Sequence, residues 1–142
     1  MSTITKHKDY NEDRGYLLPI NFSELDFEPK RMFVVNSVPP NDVRGNHAHH
    51  TTRQLLICTN GHVKVTLDNS EKVEVHLLSK GQSVVIPKLI WDTQEFLSID
   101  SEIVVLSSTE YSIVDYITNY REFQCIHQCK PVERSGFPKD TE

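Results

Sequence analysis

The chain has 142 residues, with 15 Lys and Arg against 20 Asp and Glu, a formal net charge of -5. That length suits one domain, large enough to bury about two thirds of the surface its unfolded chain would expose, so packing alone can hold the fold. The acidic balance argues against a nucleic-acid-binding protein. No apolar run approaches the roughly 18–20 residues that cross a bilayer, and the polar start lacks a signal-peptide core, so a soluble, cytoplasmic protein is expected. Three cysteines, Cys58, Cys125 and Cys129, fit a reducing compartment. Cys125, His127 and Cys129 cluster near the end but lack a fourth ligand at a usual zinc spacing.

From Arg31 to Glu110 the chain alternates short runs of Val, Ile, Leu and Phe with Pro, Asn, Asp, Ser and Gly, an all-β rhythm. Strands are expected at Met32 to Asn36, Leu55 to Cys58, His62 to Asp68, Lys72 to Leu77, Ser83 to Ile86 and Glu102 to Ser107. In the third of these Val63, Val65 and Leu67 share one face, and the same alternation recurs around Val73 and Val75. Asn60-Gly61 reads as a tight hairpin turn and Asp68-Asn69-Ser70 as the next. Ile113, Tyr116, Ile117 and Tyr120 recur at helical spacing, predicting a short helix over Ser112 to Phe123. Beyond it, residues 124–142 form an expected C-terminal extension with a mobile tail, leaving 1–123 as the domain.

The informative segment is Arg44-Gly45-Asn46-His47-Ala48-His49-His50. On a strand His47 and His49 point to one side, Ala48 and His50 to the other. Paired imidazoles serve as metal ligands or as a proton-transfer couple. His62, His76 and His7 sit in polar surroundings and read as surface residues.

The spacing of His47, His49, Gln54 and Gly61 resembles the first motif of the cupins, a jelly-roll β-barrel superfamily, and Gly81 and Pro87 match the start of the second. Two of the four places that hold ligands in metal-binding cupins are altered, to Gln54 and to Asp92 in place of a histidine. Neutral Gln is a poor ligand for a divalent ion, so the pattern favours acid-base chemistry over a metal and a metal-dependent oxygenase is disfavoured. The Arg-Gly-Asn-His-Ala-His string, with Asp13-Arg14-Gly15, Lys30-Arg31 and Tyr111 through Asp115-Tyr116-Ile117 to Tyr120, resembles the dTDP-4-keto-6-deoxyglucose 3,4-ketoisomerases over residues 10 to 123.

That resemblance implies an all-β cupin jelly roll with a short C-terminal helix, a homodimer, no metal and no cofactor. It implies conversion of dTDP-4-keto-6-deoxy-D-glucose to a 3-keto sugar nucleotide through an enediol, for synthesis of 3-amino-3,6-dideoxyhexoses of surface polysaccharides. His49 is expected as the carbon base and His47 as the oxygen-side shuttle. Arg14, Arg31 and Arg44 are expected on the diphosphate or sugar, with Gln54 and Trp91 lining the site and Arg53 pointing outward. The family's tyrosine near the first core strand is replaced by Phe33 and Val34, so either Tyr16 supplies a hydroxyl from another direction or the oxygen transfers rely on the histidines and water. A noncatalytic cupin that binds a sugar nucleotide is the alternative.

Overall fold

A computed structural model describes residues 1–128. The expected mobile tail and Cys129 lie outside the described residues. Among the described residues twelve strands, two short 3-10 turns and one helix follow one another. The strands are β1 (Thr5–Lys6), β2 (Tyr10–Glu12), β3 (Gly15–Leu17), β4 (Arg31–Val35), β5 (Val43–His49), β6 (Gln54–Asn60), β7 (His62–Asp68), β8 (Val73–Ser79), β9 (Gln82–Ile86), β10 (Trp91–Phe96), β11 (Glu102–Ser107) and β12 (Tyr116–Ile117), and the helix is α1 (Tyr120–Gln128).

Two five-stranded sheets, in the orders β1-β9-β6-β11-β4 and β12-β5-β10-β7-β8, face each other as a jelly roll, while β2 and β3 form a separate hairpin. Side-chain packing, rather than one continuous ladder, holds the sheets together. Val63, Val65 and Leu67 of β7 meet Leu56 and Cys58 of β6, Val84 and Ile86 of β9, Phe96 of β10 and Ile103 and Val105 of β11 in the central core. The opposite face of β6 is buried too. Leu55 and Ile57 pack with Phe27 and Leu106 under Leu18, Ile20 and Leu25, which explains why this strand is apolar without alternation.

Several expected elements differ. Asn60-Gly61 makes no hairpin, because β6 and β7 belong to different sheets; it is the corner where the chain crosses between them. Gly61 has φ +68°, and a Cβ there would fall 2.6 Å from Ser101 Oγ, the hydroxyl that donates to the His62 carbonyl at 2.8 Å. Asp68-Asn69-Ser70 does turn the chain, between β7 and β8. There Asp68 Oδ1 accepts from the Ser70 amide at 2.7 Å and Asn69 Oδ1 from the Lys72 amide at 2.8 Å.

The alternation of β8 is inverted relative to expectation. Its register sets His76 against Val65 and Val75 against Thr66, and directly opposed residues share a face. His76 and Glu74 therefore turn toward the core side, where His76 Nε2 lies 3.1 Å from Glu74 Oε1, and Val73, Val75 and Leu77 are exposed. His7 is likewise half-buried, 2.6 Å from Ser83 Oγ.

The helix expected over Ser112 to Phe123 is displaced. Asp115 ends a 3-10 turn, Ile113–Asp115, and its carboxylate accepts from the Thr51 amide at 3.0 Å and the Thr52 amide at 3.2 Å. The chain then extends along β5, with Tyr116 opposite His49 and Ile117 opposite Ala48. Cross-strand pairing thus overrides the local period. Asn119 caps α1 by accepting from the Glu122 amide at 2.9 Å, so the 123/124 boundary falls inside the helix. Phe123 of α1 packs against Ala48, Trp91 and Ile117.

The orientation of β8 yields a paired test. Val65→Thr, which buries a hydroxyl in the core, should lower unfolding free energy in urea by about 1–3 kcal/mol. Val75→Thr should stay within about 0.5 kcal/mol of the parent. Equal losses would contradict the register.

Candidate active site

The inner faces of the strands change character at one end of the jelly roll. Along β6 the inward positions are Gln54, Leu56 and Cys58; along β11 they are Ser107, Val105 and Ile103; along β10 they are Asp92, Gln94 and Phe96. The polar members, Gln54, Ser107, Asp92 and Gln94, are all buried, and they gather because the ladders align Gln54 with Ser107. Gln54 Nε2 donates to Ser107 Oγ at 3.2 Å. Above them lies a cavity of about 300 Å³ lined by Arg31, Phe33, Arg44, Gly45, His47, Gln54, Gln94 and Tyr116. A narrow recess sharing Arg31, Gln54 and Tyr116 reaches His49.

A break in strand pairing aims the key side chains. His47 pairs with Asp92 and Gly45 with Thr93, so Asn46 is an extra residue without a partner on β10. Both halves of this bulge have left-handed backbone, Gly45 at φ +88° and Asn46 at φ +62°. In an uninterrupted strand residues three apart face opposite ways; the bulge puts Arg44, opposite Gln94, on the same side as His47, opposite Asp92. Gly45 has to lack a side chain, since a Cβ would lie 2.9 Å from the Asp92 carbonyl oxygen.

His47 and His49 share a face as expected, with ring centroids 5.1 Å apart. Ala48 points the other way into the α1 contact, and His50 is exposed. Tyr116 stands against both imidazoles, 4.5 Å from His49 and 5.1 Å from His47. Phe33 occupies the wall where a tyrosine was expected, beneath the Arg31 guanidinium at 4.7 Å. Among the described residues neither Arg31 nor Arg44 has a carboxylate within ion-pair distance. Arg53 points outward to Asp26 at 3.4 Å.

Burial sets the charge state of the pair. It lowers the pKa of His49 to about 4, with the neighbouring His47 and Arg31 acting in the same direction and Asp115 opposing. Burial lowers His47 as well, against a hydrogen bond to the Gly45 backbone. Both rings are therefore neutral at neutral pH, the state a general base requires. Asp92 moves the other way, raised by burial to about 7 despite the Gln94 hydrogen bond. Among the described residues no three His, Cys, Asp or Glu side chains are grouped to hold a metal ion.

Three expected site residues are elsewhere in the chain. Tyr16 donates to Asp9 Oδ2 at 2.7 Å and lies beside Gly81, at the Gln82–Cys58 end of the β9–β6 ladder, whereas Gln54 pairs with Ile86 at the other. Arg14 shares a separate surface pocket with Tyr16. Trp91 is buried against Tyr120 and Phe123, centroids 5.1 and 5.6 Å away, on the side of β10 opposite Asp92. Tyr116 was the residue sequence reasoning left out of the site. Its i, i+3 partners suggested a packing stripe, and only its pairing opposite His49 reveals the contact. At the far end of α1, His127 meets the Leu89 carbonyl at 2.7 Å and Cys125 is exposed.

The opposed shifts make a stability prediction. The two histidines destabilise the fold as pH falls below about 6.5, where the unfolded chain takes up protons that the folded one resists. Asp92 works oppositely: its folded pKa exceeds the unfolded value, so its contribution is lost as pH rises toward about 7. Asp92→Asn should therefore raise the urea midpoint relative to the parent at pH 8, with the gain vanishing near pH 4. A gain independent of pH would contradict a carboxyl whose ionisation burial resists.

Comparison with known proteins places the chain in a family. The FdtA family (WxcM-like, C-terminal) matches residues 1–128. A TDP-4-oxo-6-deoxy-alpha-D-glucose-3,4-oxoisomerase of Aneurinibacillus thermoaerophilus is 29% identical over 123 residues, 85% of this chain and 88% of that protein. A 3,4-ketoisomerase from Helicobacter canadensis superposes with a TM-score of 0.82 at 28% identity, covering 89% of this chain and 97% of the other. A histidine-to-asparagine mutant of the 3,4-ketoisomerase QdtA from Thermoanaerobacterium thermosaccharolyticum, in complex with TDP-4-keto-6-deoxyglucose, gives 0.84 at 28% identity, covering 93% and 97%. The chain belongs to the FdtA family, and it is an isomerase of the sugar 3,4-ketoisomerase class.

Proposed function

We propose that the protein converts dTDP-4-keto-6-deoxy-D-glucose into the corresponding 3-keto-6-deoxyhexose nucleotide by histidine acid-base catalysis. The observation that carries this reading is two neutral, adjacent imidazoles, His47 on the wall of a cavity that also presents Arg31 and Arg44 and His49 on the recess adjoining it. His49 removes the C3 proton, leaving an enediolate. His47 moves a proton between the adjacent oxygens, and reprotonation at C4 completes the transfer. The reaction is redox-neutral overall, because oxidation at C3 equals reduction at C4. Arg31 and Arg44 supply positive charge to the diphosphate or the developing oxyanion, which a chain of net charge -5 can offer only locally. Tyr116, against both rings, takes the donor place first assigned to Tyr16. The proposal includes a homodimer and a 3-keto product that a later aminotransferase uses for 3-amino-3,6-dideoxyhexose synthesis.

His49→Asn keeps a side chain of similar breadth without a basic nitrogen. Turnover of the 4-keto sugar nucleotide should fall by about 10²–10⁴-fold, the range for losing a general base. Affinity for TDP, measured by calorimetry, should stay within about twofold. Undiminished turnover would remove His49 from the role of carbon base.

A further inference from the structure

One buried ionisable group has no task in this scheme. Asp92 is wholly inaccessible and directly opposite His47 across the β10–β5 ladder. Its Oδ2 accepts from Gln94 Nε2 at 2.7 Å, but among the described residues Oδ1 has no hydrogen-bond partner. That oxygen lies 3.7 Å from His47 Nε2. A buried carboxyl with an unsatisfied oxygen costs stability, and the backbone makes room for it, since Gly45 is the position where a Cβ would stand 3.2 Å from Oδ2.

The surroundings leave His47 as its electrostatic counterpart. On β5 the other charged or titratable neighbours are Arg44 and His49; β4 contributes Arg31 and β12 contributes Tyr116. β10 adds the neutral amide of Gln94, and β7 faces Asp92 with Leu67. Among the described residues, His47 alone comes within ion-pair distance of the carboxylate. A separation of 3.7 Å is too long for a hydrogen bond but short for a charge pair. Such a carboxylate acts on the imidazole by charge and leaves Nε2 available to a substrate.

Building on the assignment of His47 as oxygen-side shuttle, we propose that Asp92 is its positioning and charge-balancing residue. When the sugar O–H bond breaks, its proton passes to the His47 imidazole and the electron pair remains on oxygen. The Asp92 carboxylate then faces an imidazolium in a site of low dielectric, and the stabilisation ends when His47 returns the proton to the neighbouring oxygen. Asp92 exchanges no proton with the substrate. It occupies the place where metal-binding cupins carry a histidine ligand, and here that place serves an acid-base partner.

Asp92→Asn preserves shape and removes the charge. It should lower kcat by at least about tenfold with KM changed less than about twofold, because the pair forms only during proton transfer. In 15N NMR, the His47 imidazole should titrate at lower pH in Asp92→Asn than in the parent, since a carboxylate favours imidazolium. A parental kcat together with an unshifted His47 titration would overturn the proposal. If the variant fails to fold, the parent decides. A His47 shift that moves in two steps, one tracking Asp92, supports the pair, and a single step refutes it. His47→Asn separates the levels: full turnover there would sink the shuttle assignment itself, whereas a dead His47→Asn beside a fully active Asp92→Asn would sink only the role of Asp92.

Discussion

The pairing of β5 with β10 skips one residue at Asn46, and the geometry of the site follows from that skip. On one side of the bulge Arg44 sits opposite Gln94; on the other His47 sits opposite Asp92. A regular ladder would turn Arg44 away from the histidines, separating one of the cavity's two arginines from its base. Left-handed backbone at Gly45 and Asn46 and the close approach of Asp92 to Gly45 fix the bulge in place. The Arg-Gly-Asn-His-Ala-His string is thus a structural instruction as well as a set of functional groups. Its glycine and asparagine form the bend that aims the arginine and both histidines into one space.

The second constraint is water exclusion. The central core fills the jelly roll up to Leu56, Val105 and Phe96, and the next inward positions are Gln54, Ser107 and Gln94. Ionisable groups placed at this boundary are pushed toward their neutral forms, imidazoles downward and the Asp92 carboxyl upward. An enediol mechanism benefits from that environment, because a base must be unprotonated and the charges formed in the transition state are then strongly felt. Arg31, stacked on Phe33, adds a fixed positive charge that also resists protonation of His49.

Much of this was legible in the sequence where the signal was local. Six β runs, the shared face of His47 and His49, the outward Ala48 and His50 and the turn at Asp68 to Ser70 follow from period and turn chemistry. What escaped depended on partners far away in the chain. The alternation of β8 shows which residues share a face but not which face meets the core, and only its register with Val65 and Thr66 decides that. Asn60-Gly61 announces a positive φ, yet the same local bend serves a hairpin or a crossing between sheets. The stripe from Ile113 to Tyr120 has helical spacing, but Asp115 on the amides of Thr51 and Thr52 holds the segment extended. That contact carries Tyr116 to the histidines. Trp91 was misplaced because a strand's two faces look alike in sequence: it turns to α1, and Asp92, its neighbour, turns to the site.

The central claim is that the histidine pair moves the carbonyl through an enediol, and solvent exchange reads that step directly. The purified protein would be incubated with dTDP-4-keto-6-deoxyglucose in D2O and the sugar followed by proton NMR. The account predicts signals of a 3-keto sugar nucleotide with deuterium incorporated at C4. Binding of the nucleotide with neither a 3-keto product nor exchange at C3 would contradict it.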